Sequence, residues 1–316
     1  MTAGIRNCTS HDRRRNVAAA RARSGLRTAL VIFGLVALTS SGTPLVPPAN
    51  RAAHAETAPR HEPDLGLISA STLAPVRERW IVLDARPGAA YRDGHLAGAL
   101  SFSWEDHTST DPDGVRYQPG PPESIAQTLG ELGISASSPI VVYGDAAESW
   151  GGEGWACWLL AWIGHEGPIR LIDGGIEAWQ AAGLPLTTDP PAARPPVDYA
   201  VSLRPELDID TNNLRHPSQP FTVIDTRSNA EWMAGRIPGA VHIPWDRFST
   251  GADHRPLEPA ALHELLAEHG VPLDRPVVYY CTGGIRSAYC WLVHQLSDLP
   301  DARNYEGGIE AWDKLQ

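Results

Sequence analysis

Cysteine is scarce in this chain of 316 residues, which has four cysteines in all. Three of them, Cys157, Cys281 and Cys290, lie beyond the first 55 residues. An odd number argues against a disulfide framework and leaves at least one thiol unpaired. The histidines are scattered, and no His/Cys/Glu grouping has the spacing of metal ligands. The sequence therefore predicts no disulfide-stabilised fold, no bound metal and no organic cofactor.

The N-terminal region lacks an apolar run long enough for a comfortable membrane span, because its apolar segment covers only residues 28–38. The first 55 residues hold eight arginines and one acidic residue, and they end in the small-x-small sequence Ala53-His54-Ala55. This layout predicts a secretory signal over residues 1–55, with an uncleaved N-terminal anchor as the alternative. We therefore expect an exported protein, periplasmic or extracellular.

Positive charge is sparse in the rest of the chain, where 18 basic residues face 36 acidic ones and the formal net charge is −18. Such a surface repels nucleic acid and anionic membranes, so neither is an expected partner. In an oxidising compartment an unpaired thiol is a liability. A thiol that persists there is a candidate for chemistry.

From Asp64 onward the chain repeats itself. Residues 80–86 match 221–227 at an offset of 141, residues 139–143 match 276–280 at an offset of 137, and the segment Gly-Gly-Ile-Glu-Ala-Trp occurs at both 174–179 and 307–312. The matches keep the same order, so the chain contains two copies of one unit. The predicted boundaries are 64–187 for the first domain, 188–198 for a Pro-rich linker and 199–316 for the second domain.

Each unit alternates short apolar strands with helices. The predicted strands are 81–84, 140–143, 223–225 and 277–280, and the predicted helices are 122–132, 155–163, 258–269 and 288–296. This alternation predicts an α/β fold in which each domain is a parallel sheet with helices on both faces. Ligands bind at the carboxyl ends of the strands in such sheets.

One strand end leads into the loop Cys281-Thr282-Gly283-Gly284-Ile285-Arg286-Ser287. The glycines permit φ > 0, so the N–H groups of Thr282 through Ser287 can converge on one anion-binding point. The N-terminus of the following helix adds further N–H groups. Thiols in such surroundings ionise readily. We therefore predict that Cys281 is a nucleophilic thiolate supported by Arg286; the alternative is a buried cysteine at a strand end.

The first copy serves as an internal comparison. Gly144 stands where the second copy has Cys281, and the loop that follows is four residues longer, with three acidic residues in place of the arginine. An acidic loop would not hold an anion, so the first domain is predicted to be catalytically silent. Cys290 aligns with Cys157, which favours a packing role on a helix for both. The alternative for Cys290 is a resolving thiol for Cys281.

Together these features resemble the tandem-domain rhodanese-type sulfurtransferases, from about Asp64 to the C-terminus. The resemblance rests on the Asp-x-Arg strand ends (Asp84/Arg86 and Asp225/Arg227), the segments 94–99 and 235–240, the Cys281–Arg286 loop and the closing Gly-Gly-Ile-Glu-Ala-Trp. It implies a rhodanese fold in each unit and an active site in the second. It also implies that Cys281 takes a sulfane sulfur as a persulfide and passes it to a thiophilic acceptor.

The expected donor is a small sulfur anion such as thiosulfate, and the expected acceptor is cyanide or a thiol. A thioredoxin-like reductant is a further candidate partner. The N–H groups of Thr282, Gly283, Gly284, Ile285 and Ser287 would hold the persulfide, while Arg286 would balance the charge of the donor. Arg227 is expected near the substrate, as the ion-pair partner of Asp225 or in direct contact. Trp245 and Trp312 are expected in the core or at a domain interface.

Three positions depart from the family pattern. Arg236 stands where the second unit usually has histidine, and Glu231 stands where the two-domain enzymes typically carry a substrate-binding arginine. Arg286 as the last loop residue favours thiosulfate over mercaptopyruvate.

Other functions remain open from the sequence. Phosphatases of related architecture use Cys-x5-Arg, a wider loop than the Cys-x4-Arg of this chain. An exported persulfide carrier, whose acidic first domain docks a partner, is an alternative to the enzyme. A purely structural role is the third.

Overall fold

The computed structural model describes residues 62–145 and 148–314. The predicted signal or anchor over residues 1–55 lies outside the described residues. Residues 57–316 form one compact unit, so both repeats belong to the same body. Within the described ranges, no helix combines the length and the apolar character needed to cross a bilayer.

The first repeat is built on a parallel five-stranded sheet with the order β1-β7-β6-β2-β3. A separate antiparallel pair, β4 and β5, lies in the connection after β3. The strands are β1 (Leu65–Ile68), β2 (Ile81–Asp84), β3 (Leu100–Ser101), β4 (Thr108–Ser109), β5 (Gln118–Pro119), β6 (Ile140–Tyr143) and β7 (Ile169–Ile172). The helices are α1 (Ala70–Leu73), α2 (Gly88–Asp93), α3 (Trp104–His107), α4 (Pro122–Glu131), α5 (Gly152–Trp162) and α6 (Gly175–Ala181), with a 3-10 turn at Ala74–Arg79.

The second repeat has a parallel four-stranded sheet with the order β13-β12-β8-β9 and an antiparallel pair, β10 and β11. Its strands are β8 (Thr222–Asp225), β9 (Val241–His242), β10 (Ser249–Thr250), β11 (Arg255–Pro256), β12 (Val277–Tyr280) and β13 (Ala302–Tyr305). Its helices are α7 (Thr211–Arg215), α8 (Asn229–Ala234), α9 (Pro259–Glu268), α10 (Ile285–Gln295) and α11 (Gly308–Lys314), with 3-10 turns at Pro205–Leu207 and Trp245–Phe248.

Both sheets are covered on both faces. In the first repeat, Leu83 and Val142 point into the core beneath α4 and α5, whereas Val82 and Val141 point into a second core beneath α1 and α6. This follows from the two-residue period of a strand, which sends successive side chains to opposite faces. The predicted α/β fold with two tandem units is confirmed.

The two domains share one core across the packed helices α5 and α10. Two glycines allow this close approach: a Cβ on Gly154 would lie 2.3 Å from the Cα of Tyr289, and one on Gly151 would lie 2.9 Å from its Cβ. Trp245 meets Tyr289 edge to face, with 5.9 Å between the ring centroids. A Cβ on Gly151 of the first domain would lie 3.4 Å from the Trp245 ring, so Trp245 lies at the domain interface, one of its two predicted positions. Trp312 packs within the second domain, beneath the Arg215 guanidinium.

The strand predictions agree closely with the structure, but two helices begin earlier than predicted. Helices α5 and α10 start at Gly152 and Ile285, three residues before the predicted starts at 155 and 288. In each case the preceding glycine is left-handed, with φ of 74° at Gly151 and 82° at Gly284, so the chain turns into the helix at the glycine. Arg286 and Ser287 therefore belong to the first turn of α10.

Candidate active site

A buried ion pair braces the end of the central strands in both domains. In the second domain the Arg227 guanidinium donates to Asp225 (Nη2 to Oδ2, 2.7 Å) and to the Gly235 carbonyl (2.6 Å). Tyr280 Oη donates to the same carboxylate. Arg86 makes the same bonds to Asp84 and Gly94 in the domain that has no cysteine at the equivalent position.

This repetition corrects the assignment of Arg227 to the substrate-binding residues. Arg227 is 5% exposed, its Nε and Nη2 donate to Asp225 and to the Gly235 carbonyl, and it is absent from the cleft described below. Because the first domain builds the same arrangement without a thiol, Arg227 supports the fold, which was the other predicted role.

Cys281 directly follows β12 and lies beneath the start of α10. It is 2% exposed, and its Sγ lies 3.6 Å from the Ser287 hydroxyl. Its carbonyl accepts a hydrogen bond from the N–H of Ile309 (2.9 Å), and the Thr282 carbonyl accepts one from Glu310. These bonds anchor the carbonyl side of the loop on α11. The first N–H groups of α10 have no partner within the helix, as at any helix N-terminus.

The two loop glycines are required by their neighbours. A Cβ on Gly284 would lie 2.0 Å from the Glu306 carboxyl group, and Gly284 is also left-handed. A Cβ on Gly283 would lie 2.6 Å from the ring of Tyr117, a residue of the first domain. The loop is therefore held between a buried carboxyl group of its own domain and an aromatic ring of the other.

Arg286 does not present a free positive charge. Its Nη1 and Nη2 each donate to the Glu231 carboxylate at 2.8 Å, and Nη2 also donates to Thr282 Oγ1 at 2.7 Å. Thr282 Oγ1 in turn donates to Glu231. Glu231 is held in place by a capping box with Ser228 at the start of α8. Arg286 was expected to balance the charge of a donor anion. Its positive charge is already neutralised by the Glu231 carboxylate.

The charges of this pair are strongly coupled. Hydrogen bonds from Arg286 hold the pKa of Glu231 well below its ordinary value, against the opposite effect of burial. Burial alone would lower the pKa of Arg286, but its bonds to Glu231 and the Coulombic pull of Cys281 outweigh burial, and the net shift is upward. Both partners therefore stay ionised at neutral pH.

A hydrogen-bonded chain leads from the sulfur to the first domain. Ser287 Oγ donates to Asn304 Oδ1 (2.6 Å), and Asn304 Nδ2 donates to the Gly284 carbonyl and to Glu306 Oε2 (3.0 Å). The Trp155 indole of α5 donates to the other oxygen of Glu306. Burial raises the pKa of Glu306 well above its ordinary value, against the opposite effect of the hydrogen bonds from Trp155 and Asn304.

Cys281 forms part of the floor of a cleft of about 390 Å³ between the two domains. The second domain supplies Cys281, Thr282, Gly283, Ile285, Arg286 and Glu231. The first domain supplies three aromatic residues, Trp104, Tyr117 and Trp150. The first domain therefore has no thiol of its own at the equivalent strand end but completes the site of its neighbour.

Contacts within the first domain and across the interface fix the positions of these aromatic side chains. The Trp104 indole donates to the Ser149 carbonyl at 3.0 Å, which ties α3 to the loop that carries Trp150. Arg116 forms an ion pair with Glu310 of α11, beside Tyr117. Tyr117 and Trp150 have left-handed φ of 67° and 56°, which costs a non-glycine residue about 1–3 kcal/mol and is typical of functional sites.

The structure gives a steric reason why the first domain has no room for a thiol at its own strand end. A Cβ on Gly144 would lie 2.3 Å from Glu153 Oε2, so the carboxyl group fills the place where a thiol would stand. Burial raises the pKa of Glu153 to about 7. Its carboxyl group also accepts a hydrogen bond from Ser149.

The other two cysteines are buried in the helices of the domain interface. Burial raises the pKa of both the Cys157 and the Cys290 thiol, so each stays protonated. Cys157, Cys281 and Cys290 are all free thiols. Among the described residues, no group of three or more His, Cys, Asp or Glu side chains is arranged to hold a metal ion.

Of the residues predicted for the site, Cys281, Thr282, Gly283, Ile285 and Arg286 line the cleft, while Gly284 and Ser287 lie directly behind it. Sequence reasoning missed the three aromatic walls and the Asn304–Glu306 pair. A signal for Trp150 existed in the four-residue extension of the first loop, which introduces an exposed tryptophan. Nothing local in the sequence distinguishes Tyr117 or Asn304.

A cysteine at the carboxyl end of a central parallel strand, beside a helix N-terminus, is typical of thiols that act as nucleophiles. The rhodanese-like domain family matches residues 72–182 and 210–315. The chain therefore belongs to this family. The two domain matches, taken together with the relatives described next, identify it as a tandem rhodanese-type sulfurtransferase.

Relatives named for sulfur transfer match most of the chain. The sulfur carrier protein TtuD of Thermus thermophilus is 31% identical over 250 residues, 71% of this chain and 84% of that protein. The 3-mercaptopyruvate sulfurtransferase of Escherichia coli K12 is 26% identical over 267 residues, 79% of this chain and 90% of the other. A putative thiosulfate sulfurtransferase of Mycobacterium tuberculosis is 28% identical over 250 residues, 72% and 86% of the two chains.

Solved structures of similar fold include the anaerobic ergothioneine biosynthesis enzyme of Chlorobium limicola in complex with trimethyl histidine. Its TM-score is 0.69 at 22% identity, and the match covers 78% of this chain and 68% of the other. At that identity the likeness supports the fold alone.

Proposed function

We propose that the protein moves a sulfane sulfur from a donor such as thiosulfate to a thiophilic acceptor through a persulfide on Cys281. The observation that carries this proposal is the position of Cys281, on the floor of a cleft at the carboxyl end of β12 and beneath the first turn of α10. The relatives named above for sulfurtransferase activity support the same reaction class.

In the first half-reaction the Cys281 thiolate attacks the outer sulfur of thiosulfate. A bond forms between Sγ and that sulfur, the S–S bond of the donor breaks, and its electron pair leaves with sulfite. In the second half-reaction an acceptor such as cyanide attacks the outer sulfur of the persulfide, and the electron pair returns to Sγ. This is covalent ping-pong catalysis. The N–H groups of Thr282 to Ser287 would hold the persulfide anion.

The direct test is mass spectrometry of the purified protein after treatment with thiosulfate. We expect a gain of one sulfur, about 32 Da, that maps to Cys281, as covalent catalysis requires. Steady-state formation of thiocyanate from thiosulfate and cyanide should follow. A protein that gains no sulfur with any sulfane donor would contradict the proposal.

A persulfide carrier is the second candidate. It is favoured by the Glu231–Arg286 ion pair, which leaves no unpaired cation to attract a small dianionic donor, and by the relative named as a sulfur carrier. A carrier would acquire one sulfur on Cys281 but would form thiocyanate only stoichiometrically. A linear increase of thiocyanate over many turnovers would instead support the enzyme.

We also propose that the protein acts outside the cytoplasm, on the basis of the basic, apolar and small-residue layout of residues 1–55. There, a thiol or a thioredoxin-like reductant would serve as acceptor. Fractionation of cells that express the full chain tests the location. Recovery only in the cytoplasmic fraction, at full length, would contradict export.

A further inference from the structure

The cleft above Cys281 is walled by the first domain with aromatic rings rather than with cations. Trp104 and Tyr117 meet at 70° with their ring centroids 5.9 Å apart, and Trp150 completes the wall. Trp150 is 53% exposed and stands over the Arg286 guanidinium, with 5.7 Å from Cζ to the ring centroid. Together the three rings give the cleft a continuous aromatic wall, and exposed apolar surface of this kind is typical of ligand-binding grooves.

Two of these three residues are held in the left-handed region at an energetic cost. In the described part of the chain only Tyr117, Trp150 and His254 are non-glycine residues with positive φ, and two of the three line this cleft. Gly283 is moreover kept free of a side chain by the close approach of Tyr117. The fold thus holds the rings in place against local preference, which is typical of a ligand clamp.

The charge in the cleft points the same way. Its ionised side chains are Glu231 and Arg286, which neutralise each other, so an anionic Cys281 or its persulfide leaves one net negative charge. Arg116 stacks on Tyr117 at 5.1 Å, but its guanidinium is paired with Glu310. An acceptor that carries extra negative charge would therefore be repelled. An acceptor with an apolar or cationic group beside its thiol would instead be attracted by packing or cation–π contact with the rings.

We propose that the acceptor of this site is an organic thiol with an uncharged or cationic body about the size of an aromatic ring, bound against Trp104, Tyr117 and Trp150. This inference rests on the proposed function and adds the substrate class to it. The acceptor thiolate attacks the outer sulfur of the Cys281 persulfide, an RS–S bond forms, and the Cys281 S–S bond breaks. The electron pair stays on Sγ, and the acceptor leaves as its own persulfide, so no outside oxidant or reductant is consumed.

The test separates the two half-reactions. The full chain is loaded with thiosulfate, and in parallel with inorganic polysulfide, and the donor is removed by desalting. The loaded protein is then mixed with 2-phenylethanethiol, which has a neutral aryl body, or with 2-mercaptoethanesulfonate, which has an anionic one. The loss of the added sulfur from Cys281 is followed by intact mass, and each rate constant is divided by that of the same thiol with a free cysteine persulfide.

We expect the normalised rate constant for the aryl thiol to exceed that for the sulfonate thiol by at least about tenfold, because a few apolar contacts provide discrimination of this size. Trp150→Ala should reduce this ratio to near one, and Glu231→Gln should raise the rate of the sulfonate thiol. Leu273→Ala, an exposed apolar residue outside the cleft, is the matched control and should keep the wild-type ratio.

The outcomes distinguish the two proposals. Failure of both donors to add a sulfur to Cys281 would overturn the proposed function and this inference with it. A loaded protein that transfers sulfur equally well to both thiols, or a Trp150→Ala variant with the wild-type ratio, would overturn the acceptor class alone. Because Trp150 is half-exposed, its replacement should leave the fold intact, and successful loading of the variant verifies this.

Discussion

At the scale of single residues, the three described cysteines have distinct surroundings. Cys281 lies at the floor of an open cleft, whereas Cys157 and Cys290 are buried in the helices of the domain interface with their pKa raised by burial. A buried, protonated thiol is a poor nucleophile. This contrast favours Cys281, which lines the cleft, as the candidate nucleophile.

We expect Cys281→Ser to lose sulfur loading and thiocyanate formation altogether, because the nucleophile is absent. Cys290→Ala should load and turn over like the wild type, with a loss of stability of about 1–2 kcal/mol for the small cavity. Intact mass and a thiocyanate assay measure both variants. If Cys290→Ala loads sulfur but fails to turn over with thiols, Cys290 is a resolving thiol, the alternative left open by the sequence.

The Glu231–Arg286 pair gives a second prediction at this scale. Glu231→Gln preserves the capping box, which accepts Gln at this position, but leaves the charge of Arg286 uncompensated. Two unit charges about 4 Å apart interact by about 4 kcal/mol near a protein surface, and partial exposure of Glu231 reduces this to roughly 1–2 kcal/mol. We expect kcat/KM for thiosulfate to rise about five- to thirtyfold.

The matched control is Glu268→Gln, which removes the partner of Arg247 in an exposed ion pair on the surface. Its kcat/KM should stay at the wild-type value. A Glu231→Gln variant with weaker use of thiosulfate would mean that the carboxylate positions Arg286 for the donor rather than neutralising it.

At this scale the sequence pointed to a candidate nucleophile, but it did not reveal the surroundings of that residue. Cys281, its glycines and Arg286 are contiguous, and their role follows from local backbone chemistry. Glu231 is 55 residues from Arg286, and its pairing depends on where α8 places it. Tyr117 and Trp150 come from the other domain. Such contacts are set by tertiary packing, which the pattern of one sequence does not reveal.

At the scale of elements, central strands were predictable because buried parallel strands are short continuous apolar runs. Edge strands such as β3 and β9, with two residues each, carry no comparable signal. The early start of α10 was missed because the continuous apolar run begins at Ala288, whereas the helix begins at Ile285, directly after the left-handed Gly284. That shift matters, since it places Arg286 and Ser287 on a rigid first turn.

The contact between α5 and α10 gives a prediction about stability. Gly154→Ala would place a methyl group 2.3 Å from the Cα of Tyr289, a backbone atom that cannot rotate away. We expect a loss of at least about 1–3 kcal/mol in the free energy of unfolding, the usual cost of overpacking. Urea denaturation measures it.

Gly120→Ala is the matched control, because a Cβ there would meet its nearest neighbour at an ordinary 3.9 Å. Its free energy of unfolding should stay within about 0.5 kcal/mol of the wild type. A Gly154→Ala variant as stable as this control would show that the helices can separate without cost.

At the scale of the whole molecule, the two domains form one cooperative body because the core around α5 and α10 belongs to both. The active site depends on this union, since its nucleophile and its aromatic walls lie on opposite sides of the interface. The two copies therefore contribute different parts of the cleft: the second carries the thiol, and the first supplies the aromatic wall.

The same body contains titratable groups that link its stability to pH. Burial raises the pKa of Asp208 and of Glu153 to about 7 each, whereas unfolded carboxyl groups titrate near pH 4. Between about pH 4 and 7 the folded state binds more of these protons, so their contribution to stability is lost as pH rises. Burial lowers the pKa of His294 to about 4. The contribution of His294 to stability therefore increases as the pH rises from about 4 to about 6.5, opposite to that of the two carboxyl groups.

A difference between variants isolates the carboxyl contribution from that of His294. Asp208→Asn removes the titrating group while its side-chain oxygen can still accept from the Glu306 N–H, 3.2 Å away in the wild type. Relative to the wild type, the free energy of unfolding of this variant should increase by about 2–3 kcal/mol between pH 5 and 8, because one pKa unit corresponds to about 1.4 kcal/mol. The free energy of unfolding of Glu153→Gln, relative to the wild type, should likewise increase between pH 5 and 8. Urea denaturation at both pH values measures the effect, and a difference from wild type that is the same at pH 5 and pH 8 would mean that these buried carboxyl groups are ionised in the folded protein.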